Sequence, residues 1–296
     1  MNKHKIEAAI RDYSRDGIAV VRDVVPTGDL DCVIDEISLW IDARATSLAE
    51  QGEISELYKS ASFEERYGLL FRQSKKMSHG LDIMFMRGRT MFEFLFNAQL
   101  LNLLEPILGP EISCNPIQHL RAKPPAEFEG HDGPSFHNAA WHQDAGVMMQ
   151  EADQSNIVTC WLPLGDSTLE MGCLHAMPGM AELGYLAHER NGETTIVDSA
   201  MPSRDGLPLV CRKGDVVLMS RFTPHCSTPN RSTLCRWSLD LRYQTTGHHT
   251  GRTAHPDFVV RSAHAEKEQR DYDLWCERWK AALSNPTGFS GHRVDQ

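Results

Sequence analysis

The chain has 296 residues, 41% of them apolar, and a formal net charge of −10. That is the composition of a soluble globular protein with a full hydrophobic core. No apolar run is long enough for a bilayer span, and the acidic balance argues against nucleic acid or an anionic membrane as partner. The eight cysteines are scattered without a CxxC pair, and the charged N-terminus lacks the apolar stretch of a secretory signal. Both features read as a cytoplasmic protein with reduced thiols.

The opening "YSRDGIAVVRDVVP" runs from a short helix into a β-branched strand. Thr27 is expected to cap a helix running to about Gln51, with Leu30, Val33, Ile34, Ile37, Trp40 and Ile41 on one side. The run "LYKSASFEERYGLLFRQSKKMSHG", residues 57–80, is mixed and charged and reads as a helix with loops, with a cover over a pocket as a further reading. A second helix is expected over "TMFEFLFNAQLLNLLEPIL", apolar nearly all round and therefore well buried. Beyond residue 110 short strand-like runs alternate with Gly/Pro turns, the pattern of an all-β sandwich or barrel preceded by helices. A helix is expected over about 262–283. With no repeat and no linker, the chain reads as one domain, residues 1–296: helical to about 110, β from about 111 to 245, then the C-terminal helix.

The chemistry concentrates in "AAWHQDAGVMM", residues 139–149. Placed at the end of a strand, His142 and Asp144 share a face and Gln143 points the other way. An imidazole and a carboxylate are two ligands of a 2-His-1-carboxylate set, which suits non-haem Fe(II) and leaves positions open for a cosubstrate and dioxygen. His-x-Asp alone is weak, and His255-Pro256-Asp257 fits it equally well in polar surroundings, where a loop pair with no ligand role is the better reading. His142 differs because His225, 83 residues later, follows a Gly-Asp turn and an apolar strand. Eleven residues further, Arg236 offers a guanidinium fork for a carboxylate.

These pieces resemble the phytanoyl-CoA dioxygenase family of Fe(II)- and 2-oxoglutarate-dependent oxygenases. The matching runs are "RDGIAVVRDVV", "AKPP", "WHQD", "CWLPL", "MGCLHAMPG", "KGDVVLM", "PHCSTPNRS" and "RWSLDLRYQ", in the family's order over about residues 13–245. The resemblance implies a mainly β protein with flanking helices, built on a double-stranded β-helix (a cupin-like jelly-roll). It implies His142, Asp144 and His225 as iron ligands and Arg236 as the anchor of 2-oxoglutarate, with Ser227 assisting and Trp161 lining the cosubstrate site. Met171 replaces an asparagine common in the family, which puts a local turn hydrogen bond in doubt.

Asp144 stands where related halogenases carry a small residue, which favours hydroxylation of an unactivated C–H bond of a small molecule, with release of succinate and CO2. Desaturation or ring formation at the same site is the alternative. So is a metal cupin without 2-oxoglutarate, or a silent small-molecule-binding jelly-roll. His175 reads as a packed histidine, with substrate lining as its alternative, and His131 and His137 read as solvated loop residues. Arg72, Lys75, Lys76, Arg87 and Arg89 read as a solvated basic face, with a clamp on an anionic substrate as the sharper alternative. Residues 52–90, 125–140 and 180–206 are expected to supply the pocket lining. Substrate identity and oligomeric state are not legible.

Overall fold

The fold is that of a computed structural model, described for residues 2–129, 138–191, 193–285 and 293. Helix α1 (Lys3–Asp16) is capped by the Asn2 side chain and closed by Gly17 at φ 69°, a left-handed turn that glycine adopts freely. It feeds strand β1 (Ile18–Val21). Helix α2 (Thr27–Glu50) buries Leu30, Val33, Ile37 and Ile41, with Ile34 and Trp40 packed against that core. Thr27 is not its cap. Pro26 holds that position with φ −54° and makes no side-chain bond, so the proline's fixed φ sets the start of the helix.

Helix α3 (Phe63–Gln73) begins with a reciprocal capping box between Ser62 and Glu65. A short α4 (Ile83–Met86) follows. The single helix expected over residues 90–108 is two, α5 (Arg89–Phe94) and α6 (Ala98–Leu108). Asn97 interrupts it, because its side chain accepts from the backbone N–H groups of Gln99 and Leu100 and starts a new helix. The stripe is buried as expected, including Phe92, Leu100, Leu103 and Leu104.

The strands that follow are β2 (Ile112–Cys114), β3 (His119–Lys123), β4 (Ile157–Pro163), β5 (Leu174–Ala176), β6 (His188–Asn191) and β7 (Glu193–Ile196). Then come β8 (Leu207–Leu209), β9 (Val216–Ser220), β10 (His225–Ser227), β11 (Arg236–Thr245) and β12 (Phe258–Arg261). The C-terminal helix is α7 (Tyr272–Ser284), ten residues later than expected. It starts there because Asp271 caps it by accepting from the Leu274 N–H.

The strands form a large antiparallel sheet in the order β1-β9-β4-β11-β2-β12, with β3 also paired to β11, and a small sheet in the order β10-β5-β8. Strand β11 shows how sequence sets the layers. Trp237, Leu239, Leu241 and Tyr243 join the core under the helices, where Trp237 stacks on Phe63 at 4.7 Å. The alternate residues Arg236, Ser238, Asp240 and Arg242 therefore face the other side of the sheet. There Trp161, Val217 and Met219 of the large sheet pack with Leu174, Ala176 and Leu209 of the small one. The result is the expected mainly β jelly-roll with flanking helices. Among the described residues, no helix is long and apolar enough to cross a membrane.

Candidate metal centre

His142, Asp144 and His225 each offer one ligand atom, and these atoms lie within 4.8 Å of one another. His225 opens β10, and His142 sits opposite it in an isolated bridge, exchanging backbone hydrogen bonds of 2.9 Å in both directions. That pairing sets the two imidazoles 4.2 Å apart between ring centres. The strand expected for "WHQD" ends at this bridge. Asp144 instead opens a single 3-10 turn, Asp144–Val147, tied down by the Ala145 N–H to the Arg221 carbonyl. The turn still delivers the carboxylate to the histidines. Gln143 points away as expected, its amide donating to the carbonyls of Gly184 and Phe222.

The donor set fits a metal ion. Each histidine uses Nδ1 on a backbone carbonyl, His142 on Ala140 at 2.8 Å and His225 on Thr223 at 2.9 Å. Since a carbonyl only accepts, both rings carry their proton on Nδ1 and present Nε2 as a lone pair, the arrangement usual behind ligating histidines. Burial and the neighbouring His225 push the His142 imidazole down to about 3, so it is neutral and able to ligate. Asp144 is buried, and burial alone would raise its carboxyl. The Arg242 guanidinium, at 2.5 Å, outweighs that and holds it below the usual carboxylate range. Thr159 donates to the other carboxylate oxygen at 2.5 Å. An ionised carboxylate has about four acceptor positions, so both oxygens keep capacity for a metal. Neither Arg242 nor Thr159 was singled out from sequence.

All three ligand positions adjoin the inner face of the large sheet, and His142 and His225 open onto a cavity of about 910 Å³. Arg236 lines the same cavity. Its Nε and Nη1 atoms are buried without a hydrogen-bond partner, an arrangement that calls for a bound anion. Trp161 places its ring 5.3 Å from the Arg236 guanidinium carbon. Ser227 accepts from Lys123 Nζ at 2.8 Å and from the Ala139 N–H at 3.0 Å.

Lys123 stands directly opposite Arg236 in the β3–β11 pairing. Its Nζ also donates to the Thr228 carbonyl at 2.6 Å and to Asn138 at 3.1 Å. Burial first, then the adjacent Arg236 charge, pushes it down to about 6. A buried guanidinium with unused donors, set beside a lysine amine, makes a carboxylate pocket. The sequence signal for Lys123 was its place in "AKPP".

Other expectations sort clearly. His255 packs its ring on Trp279 at 5.1 Å and joins no metal cluster among the described residues. The His175 side chain is half-buried, with Nδ1 unpartnered. His131 and His137 lie outside the described residues. Of the basic run, Lys76 pairs with Glu53 at 2.6 Å, Arg72 lies over Phe128 and Arg89 over Tyr272, while Lys75 lines the cavity. Tyr67, Phe71, Ser78 and His79 line it too, so residues 52–90 supply part of the pocket lining as expected. The turn at Met171 closes without the asparagine, since the Met171 N–H donates to Thr168 Oγ1 at 3.2 Å. Met148 and Ala152, just beyond the ligand turn, pack against Ile117 and Ile157 in a small separate core that braces it.

A jelly-roll that gathers a His-x-Asp pair and a distal histidine beside a buried, unpartnered guanidinium has the donor set for one metal ion and a place for an anionic cosubstrate. The chain belongs to the phytanoyl-CoA dioxygenase (PhyH) family, whose model matches residues 13–237. It is 30% identical over 111 residues to a phytanoyl-CoA dioxygenase domain-containing protein 1 homolog of Dictyostelium discoideum, covering 34% of this chain and 39% of that protein. It is 32% identical over 88 residues to a methylphosphonate hydroxylase of Gimesia maris, covering 30% of this chain and 33% of that one. The matched stretches thus span less than two fifths of these curated relatives. Among solved structures, the apo form of the non-heme monooxygenase ThoJ superposes with a TM-score of 0.62 at 17% identity, covering 93% of this chain and 94% of that one. The epimerase SnoN, solved with Fe3+, alpha ketoglutarate and nogalamycin RO, gives 0.54 at 18% identity, covering 84% and 88%. At these identities the likeness is one of fold.

Proposed function

We propose that the chain is a non-haem Fe(II)- and 2-oxoglutarate-dependent oxygenase that hydroxylates an unactivated C–H bond of a small molecule. The observation that carries this reading is Arg236, buried with two unpartnered nitrogens on the cavity that His142 and His225 share. Bound iron, 2-oxoglutarate and dioxygen would supply the oxidation, with the 2-oxo acid decarboxylated to succinate and CO2 and one oxygen atom delivered to the substrate.

The chain's own residues do the holding. His142 and His225 offer Nε2 and Asp144 a carboxylate oxygen to the metal. Arg242 and Thr159 keep that carboxylate ionised and oriented. Arg236 takes the far carboxylate of 2-oxoglutarate by its fork, Lys123 adds a further N–H donor, Ser227 positions Lys123, and Trp161 walls the site. Helix α3 and residues 75–81 wall one side of the cavity. SnoN, solved with Fe3+ and alpha ketoglutarate, and the methylphosphonate hydroxylase of Gimesia maris support the cofactor set and a small-molecule substrate. We take residues 1–296 as one working domain.

The test is succinate release from the full chain given Fe(II), 2-oxoglutarate and dioxygen across a panel of small molecules, with mass analysis for a gain of oxygen. Tightly held zinc with no succinate in any arm would overturn the reading.

A further inference from the structure

We infer that Arg121 and Ser238 form a second anion-binding position in the same cavity, which holds an oxyanion group (carboxylate or phosphonate) of the substrate. This rests on the oxygenase reading for the word substrate, but not for the binding itself.

The two residues face each other in the β3–β11 register, so their side chains rise together from one face of the sheet. Both line the cavity. Arg121 is exposed to it and makes no hydrogen bond or ion pair with any described residue, while its strand neighbours Leu120, Ala122 and Lys123 are buried. Ser238 is fully buried, and its Oγ has no hydrogen-bond partner. A guanidinium and a hydroxyl left unused side by side are complementary to an oxyanion. One pairing step along β11 stand Lys123 and Arg236. Two residues of strand separate the two positions by roughly 7 Å, enough for a substrate head beside a cosubstrate.

No acid forms an ion pair with Arg121 among the described residues. Asp240 has one oxygen on Arg242 at 3.3 Å and the other buried without a partner, Glu193 accepts the Ala140 N–H at 3.1 Å, and Asp82, which feels the Arg121 charge, is engaged by His119 at 2.8 Å and by the Leu120 N–H at 3.0 Å. Glu129 acts on Lys75 and Lys123. Lys75 lines the same cavity from the segment after α3 and adds to the positive side.

Calorimetric titration of the full chain tests this with four six-carbon probes: hexanoate, hexylphosphonate, hexylamine and hexanol. Titrations are run with Ni(II) and 2-oxoglutarate, which block turnover and occupy Arg236, and again without them. Either anion should bind at least about tenfold tighter than the amine or the alcohol, and whichever anion is preferred names the source of the oxyanion. Arg121→Ala should weaken the anions about tenfold to a hundredfold, Arg121→Lys less, and Ser238→Ala less again. Hexanol or hexylamine binding as tightly as the anions, absence of anion binding, or unchanged affinity in Arg121→Ala would overturn the inference. If Arg121→Ala does not fold, added salt should still weaken anion binding to the wild type, and salt-independent binding would overturn it. Anion binding that depends on Arg121 in a chain that takes up neither Ni(II) nor 2-oxoglutarate would sink the oxygenase reading alone.

Discussion

Arg242 and Asp144 form an ion pair of 2.5 Å in which both side chains are almost completely buried. Desolvating two charges is costly, and the pair holds because each is the other's main compensation. Removing one partner leaves a bare buried charge. Arg242→Met should therefore lose about 3–5 kcal/mol of stability in urea unfolding of the metal-free chain. It should also weaken metal binding about 10–100-fold, because the carboxylate loses its orienting partner. Wild-type stability in this variant would mean that the pair is solvated in solution.

Arg236 is the opposite case. Its Nε and Nη1 are buried with no partner, so in the cosubstrate-free chain this guanidinium is a net cost. Arg236→Met should leave metal-free stability unchanged or raise it. The same substitution should raise the 2-oxoglutarate concentration needed for half-maximal turnover by about tenfold or more. An unchanged requirement would remove Arg236 as the anchor.

Lys123 gives a pH signature. Burial lowers its ammonium to about 6 in the folded chain, against about 10.4 for a free lysine. Between those values the unfolded chain binds the extra proton, so stability rises with pH across that window and the penalty is largest below pH 6. The stability difference, wild type minus Lys123→Met, should grow by about 1 kcal/mol per pH unit from pH 7 to 9 in urea unfolding. A flat difference would show that acceptors such as Ser227 keep the lysine charged.

Metal binding should be visible as stabilisation. A divalent ion at a hundredfold excess over its dissociation constant adds about 2.7 kcal/mol to a native state that binds it. Thermal unfolding should therefore shift upward with Fe(II) or Ni(II) in the wild type and in His255→Ala. It should not shift in Asp144→Ala, which should also lose turnover. A shift that disappears in His255→Ala but survives in Asp144→Ala would reverse the assignment of the two His-x-Asp copies.

The parts legible in the sequence were those with a period or a spacing. Alternation in "RWSLDLRYQ" delivered β11 and Arg236, and the same alternation carries Ser238, Asp240 and Arg242, a polar row whose meaning appears only with Asp144 beside it. The helix break at Asn97 and the late start at Asp271 were written as capping residues, but apolar and charged runs on either side masked them. The 3-10 turn at Asp144 has no pattern of its own. It is imposed by the bridge to His225 and by Arg221, both far along the chain.

Because β11 presents Trp237, Leu239, Leu241 and Tyr243 to the helices and Arg236, Ser238, Asp240 and Arg242 to the opposite face, the first three of them on the cavity, packing and chemistry share one register. A one-residue insertion or deletion in this strand would turn the cations into the apolar layer and the tryptophan into the cavity at once. Length variation among relatives should therefore avoid β11 and accumulate in the connections around the cavity. New substrates would then arise by reshaping those connections around a strand whose length cannot drift.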